Sequence, residues 1–72
     1  MATPADLSMT RLRIFAAVVE QRGYTAAARS IGVSQATVSF HMRALEHALG
    51  TGLLLYQGRR VLPTPAGEAL YG

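Results

Sequence analysis

The 72 residues predict a mostly α-helical domain with one small two-stranded sheet, on three observations. Apolar residues recur at helical spacing in successive segments punctuated by Gly23, Gly32 and Gly50. The pattern then changes to LLLYQ and VLPT on either side of Gly58–Arg59–Arg60, two short strands about a basic turn. Finally, Thr64 followed by Pro65 places a helix cap directly before a proline at the first helical position.

Taken in order, residues 1–7 carry Pro4 and no periodicity and are expected to form a loose tail outside a domain spanning 8–64. Ser8 or Asp6 can cap a first helix whose Leu12, Phe15, Val18 and Val19 share a face, and Gly23 is expected to end it. Thr25 stands where an N-cap belongs for a short second helix, with Ala27, Ala28 and Ile31 turned inward. Gly32 suits the left-handed turn that follows, and Val33 has the character of a buried plug. Ser34 caps a third helix running to Leu49, in which Val38, Met42, Leu45 and Leu49 fall on one stripe. Phe40 points almost the opposite way, on a face shared with Ala36, Arg43 and His47. In the wing, about 53–63, Pro63 cannot donate to a ladder, so its strand is a brief edge. A last helix starts at Pro65 and is expected to continue over 65–72.

The totals exclude several classes. A chain this short supports one small core. It contains no cysteine, so neither disulfides nor thiolate–zinc sites reinforce it. The longest strongly apolar run, IFAAVV, is far below the ~20 residues that cross a bilayer. MATPADLSM lacks a basic segment followed by an apolar one, so a cytoplasmic location is expected. His41 and His47 lie on different sides of a helix, the four acids fall in different elements, and no phosphate loop or nucleophile elbow is present. An enzyme is therefore not expected, and no cofactor is assigned to these residues. The net charge of +3 favours a polyanionic partner. All seven basic residues are arginines, the planar group that grips phosphate and guanine edges, although GC-rich codon usage would give the same count.

A helix, a tight turn, a longer helix and a basic hairpin form a winged helix-turn-helix, a reader of double-stranded DNA. Such a third helix, about 34–49, enters the major groove with short polar groups at its start and an apolar back. Ser34, Gln35, Thr37 and Ser39 supply the polar groups. Phe40 is then expected to meet a thymine methyl or a sugar; the alternative is that it packs on another protein chain or on the N-terminal tail. Arg59 and Arg60 are expected to reach the backbone or minor groove, unless the hairpin tip is simply a solvated turn. Arg29 and Arg43 are candidate backbone contacts, whereas Arg11, Arg13 and Arg22 are read as surface charge.

These residues resemble the N-terminal domain of LysR-type bacterial transcriptional regulators, from about Leu12 to Gly67. The resemblance rests on Leu12–Phe15–Val18–Glu20, Tyr24–Thr25–Ala27–Ala28, Val33–Ser34–Gln35, Val38–Ser39, Leu45–Glu46–Leu49–Gly50, Gly58–Arg59 and the closing Thr64, Ala66 and Gly67. It implies that 65–72 begin a truncated dimerisation linker helix, and that a small-molecule inducer is bound by a C-terminal domain absent here. It also implies a homodimer on an interrupted inverted repeat, a tetramer for the whole regulator, and base or backbone contacts from Gln35, Ala36, Thr37 and Phe40. Proline is common in the family where Ala36 stands, and arginine where Phe40 and Tyr56 stand; phenylalanine and leucine are usual at Leu54 and Pro63. An altered site preference and a weaker wing are expected. An ArsR- or MarR-like repressor domain, or a winged helix that binds protein, are the competing readings.

Overall fold

The computed structural model describes residues 8–72; the expected tail over 1–7 lies outside them. Helix α1 spans Met9–Gln21, α2 Tyr24–Ile31 and α3 Gln35–Leu49. The hairpin strands β1, Leu54–Gln57, and β2, Arg60–Pro63, pair antiparallel before α4 closes the fold over Pro65–Tyr71. This is the mostly α winged architecture expected.

Ser8 is the cap of α1, accepting the Arg11 N–H at 3.2 Å. The other end differs from expectation. Arg22, not Gly23, adopts the left-handed conformation, with φ 59°, and donates its N–H to the Val18 carbonyl. Gly23 is extended and precedes α2 directly, so α2 starts at Tyr24 and Thr25 lies inside its first turn. A non-glycine residue in that region is strained, and it is held by a second tie: the Arg22 carbonyl accepts the Val61 N–H at 3.0 Å. The end of the first helix is thereby fastened to the wing.

Ile14, Phe15, Ala17 and Val18 of α1 pack on Ala27 and Ala28 of α2 and on Val38, Met42 and Leu45 of α3, with Leu53 and Val61 closing the core. No buried polar side chain interrupts it among the described residues. Full burial of each large side chain contributes about 1.5–3 kcal/mol. Three inward expectations fail at the rim. Ile31, Val33 and Leu49 are 38%, 39% and 37% exposed, because the core ends before reaching them and no described element covers them.

Leu53 is the junction of the lower half. Its N–H and that of Leu54 both donate to Glu46 Oε2, at 2.7 and 3.1 Å, tying α3 to the start of β1. Its carbonyl accepts the Thr64 N–H at 2.9 Å. Thr64 caps α4 by accepting the Gly67 N–H and donates its hydroxyl proton to the Gly52 carbonyl at 2.7 Å. Gly67 is buried because the Leu53 carbonyl occupies the place a Cβ would take. At the far end of α4 the Tyr71 hydroxyl donates to Glu20 at 2.9 Å.

Candidate nucleic-acid interface

Ser34 fixes the start of α3, its hydroxyl accepting the Thr37 N–H at 3.1 Å and lying 2.9 Å from the Thr37 hydroxyl. Gln35, just inside the helix, receives the Thr25 hydroxyl proton at 3.3 Å, which links the starts of α2 and α3. Ser34, Gln35 and Ala36 are exposed, while Thr37 and Ser39 are partly so. The opposite side of the helix, Val38, Met42 and Leu45, is buried. One helix therefore shows an apolar back and a short-chained polar front, as a groove reader requires.

Phe40 is 63% exposed. It lies with Ala36, Ser39, Arg43, Ala44 and His47 along a shallow hollow on the outer flank of α3, so the wheel placed it correctly. Arg43 also lends its Nη2 to Ser39 Oγ at 3.4 Å, one turn back. A second hollow lies between the start of α3 and the wing, where Gln35, Ser39, Thr25, Arg22, Tyr56 and Arg59 converge. Tyr24 and Tyr56 meet edge to face there, ring centroids 5.8 Å apart. Burial, and then the Tyr56 phenol beside it, push the Tyr24 hydroxyl well above the ordinary tyrosine range.

The hairpin turns through Gly58, with φ 65°, and Arg59. Glycine at the first position of a two-residue loop suits the strand twist. Arg60 is not at the tip as expected but begins β2, opposite Gln57. Both arginines are exposed. Arg29 is exposed in the last turn of α2 and lines neither hollow.

Acids are absent from both hollows. Of the three glutamates among the described residues, Glu20 receives Tyr71, Glu46 is occupied by the Leu53 and Leu54 amides, and Glu68 sits in the first turn of α4. The front of α3 and the wing thus expose arginines without a lining carboxylate, an electrostatic footprint for phosphate. No His, Cys, Asp or Glu cluster suited to a metal occurs among the described residues, nor any helix long and apolar enough to cross a membrane.

Two contributors escaped the sequence reading. Arg22 is a helix terminus that lines the wing-side hollow rather than plain surface charge. Arg11 reaches across from α1 to donate its Nε–H to His41 Nδ1 at 3.1 Å, with its guanidinium carbon 6.0 Å from the centre of the Phe40 ring. No spacing in the sequence signals that crossing, since it depends on the angle between α1 and α3. Tyr56, by contrast, stands out as a departure from the family pattern, and the residue is 67% exposed on the wing-side hollow.

Residues 9–68 match the model of the bacterial regulatory helix-turn-helix proteins of the lysR family. Over 59 residues the chain is 49% identical to a probable hydrogen peroxide-inducible genes activator of Mycobacterium avium, covering 82% of this chain and 19% of that protein. It is 41% identical over 66 residues to the HTH-type transcriptional regulator PtxR of Pseudomonas aeruginosa, covering 92% and 21%. The chain spans about a fifth of the length of these relatives. Among solved structures, the BenM DNA-binding domain in complex with benA site 1 DNA superposes with a TM-score of 0.85 at 38% identity, covering 89% of this chain and 74% of that one. The CbnR DNA-binding domain in its DNA complex gives the same score, identity and coverage. On the family match and on these relatives, the chain belongs to the lysR family of bacterial regulatory helix-turn-helix proteins.

Proposed function

We propose that the chain is the sequence-reading DNA-binding domain of a LysR-type transcriptional regulator. The observation that carries this is the front of α3, polar, flanked by arginines and lined by no acid, with an exposed phenylalanine on its flank. Ser34, Gln35, Ala36, Thr37 and Ser39 would face the base edges of a major groove, and Phe40 a thymine methyl or sugar beside them. Arg43 would contact backbone along α3 and Arg59 and Arg60 from the wing, with Arg29 at the outer edge. The likeness to BenM and CbnR domains solved on DNA supports the reading.

Two copies would read an interrupted inverted repeat, their recognition helices about one helical turn apart or a multiple of it. The span of about a fifth of the relatives' length leaves inducer binding and tetramer assembly to residues other than these. A cytoplasmic, nucleoid-associated location follows from the role, and the domain itself performs no catalysis.

Fluorescence anisotropy with a mixed-sequence duplex across a salt series tests the reading. A linear fall of log affinity with log salt, at about −0.9 per neutralised phosphate and about three to five phosphates, supports it. Absence of binding at low salt favours a winged helix that binds protein through the Phe40 face. Phe40→Ala divides the two readings further: it should cost about 1–3 kcal/mol at particular base pairs if the ring meets DNA, and nothing if it meets protein.

A further inference from the structure

Tyr24 at the start of α2 and Tyr56 in β1 meet in the hollow between the recognition helix and the wing. Their rings pack edge to face, centroids 5.8 Å apart, and their phenols share a hydrogen bond. The two are unequally placed: Tyr24 is partly buried, while Tyr56 is 67% exposed. Burial, and then the bond to Tyr56, hold the Tyr24 proton more firmly than an ordinary phenol does, the sense expected of the donor in the pair. A phenol has one proton to give, so that of Tyr56 is left to point away from Tyr24, into the hollow. Gln35 Oε1 and Ser39 Oγ already receive protons there, from Thr25 and Arg43, and no carboxylate lines the hollow.

We propose that the Tyr56 hydroxyl donates a hydrogen bond to a phosphate of the DNA backbone, where that strand passes between the recognition helix and the wing. The inference rests on the DNA-binding reading of α3. A phosphate rather than a base is the target because Tyr56 stands on the wing strand, beside the helix and not on it. Sugar and phosphate form the wall of a groove that a helix enters. A phosphodiester also offers acceptors only, and Arg59 in the same hollow adds a charge of the opposite sign. The Tyr24 ring orients the Tyr56 ring before binding, so little rotamer freedom is left to lose. This bond differs in kind from an arginine contact: a neutral donor adds affinity without displacing a condensed counterion.

Tyr56→Phe keeps the ring that packs on Tyr24 and removes only the hydroxyl. The variant and the wild type are titrated by fluorescence anisotropy with several duplexes of unrelated sequence over a salt series, after thermal melts confirm folding. Tyr56→Phe should bind every duplex about tenfold more weakly, the worth of one hydrogen bond to a charged acceptor, with a log–log salt slope equal to that of wild type. Tyr56→Arg should instead steepen the slope by about 0.9, since a cation at that place releases one counterion more.

Binding by Tyr56→Phe as tight as wild type would overturn the contact. So would a loss confined to particular base pairs, which would make the hydroxyl a reader of bases, and so would a flattened slope, which would trace the loss to displaced arginines. A slope that Tyr56→Arg leaves unchanged would place residue 56 away from the backbone and overturn it too. Failure of the wild type to bind any duplex at low salt would overturn the DNA reading itself. Should Tyr56→Phe fail to fold, the wild-type protein still decides: with tyrosine labelled at Cζ, the Tyr56 resonance should shift on adding duplex. An unmoved Tyr56 resonance refutes the contact.

Discussion

Gly67→Ala sets two general effects against each other, and the structure decides the sign. Alanine is the better helix former by about 1 kcal/mol, so on propensity alone the variant should be more stable. Gly67, however, sits inside α4 with the Leu53 carbonyl oxygen where the new Cβ must go, and with Leu53 C and Pro63 Cβ at 3.1 and 3.2 Å. None of these is the end of a flexible side chain. Backbone must move, and the Leu53 carbonyl is the acceptor of the Thr64 N–H. Overpacking of this kind costs about 1–3 kcal/mol, and a weakened partly buried hydrogen bond about 1 kcal/mol more. The net expectation is a destabilisation of about 2 kcal/mol, which for a domain of this size lowers Tm by about 8–16 °C. Thermal melts followed by far-UV circular dichroism, with urea titrations for the free energy, measure it. A Tm equal to or above that of the wild type would refute the packing account and leave propensity as the governing effect.

Glu46→Ala should destabilise by about 2–4 kcal/mol in urea titrations, because it strands the amides of Leu53 and Leu54, and Glu46→Gln should cost less because one acceptor oxygen remains. Arg59→Ala should weaken binding to all duplexes alike and reduce the salt slope by about one; an effect confined to one base pair would contradict a backbone role. The Tyr24 phenol is raised by burial and by Tyr56, so folding favours its neutral form. Its contribution is complete below the ordinary tyrosine value of about 10 and fades as pH rises towards the folded value. Stability measured above about pH 10 should therefore fall less steeply in Tyr24→Phe than in wild type, and an equal slope would argue against burial as the cause.

Where the sequence was legible, a local chemical rule operated. Ser8, Ser34 and Thr64 cap helices because a hydroxyl at each start can reach an amide two or three residues on, and Gly32 and Gly50 close helices in the left-handed region. The exposed front of α3, Phe40 included, follows from helical periodicity alone. The junction of α1 and α2 was misread because glycine next to an apolar run looks like a terminus. Arg22 takes that conformation for a tertiary reason, the bond from its carbonyl to Val61, which no local rule encodes. Ile31, Val33 and Leu49 were placed inside because periodicity reports a face, not how far the opposing surface extends. Arg11 and Glu46 were passed over for a related cause: their partners lie across helix crossings or a loop, at separations set by the assembled fold.

The peptide unit at Leu53 also bears on geometry at a larger scale. Its amide is held by α3 and its carbonyl by Thr64, with Gly67 pressed beneath it, so α4 is tied to the third helix through this one residue. The direction of the fourth helix is then set relative to the third through this tie. Two such domains joined through their fourth helices would hold their recognition helices at a fixed separation, like the jaws of a caliper locked by one screw. On the proposed pairing, glycine at 67, where the Leu53 carbonyl fills the place of a Cβ, would bear on which half-site spacing the pair can measure.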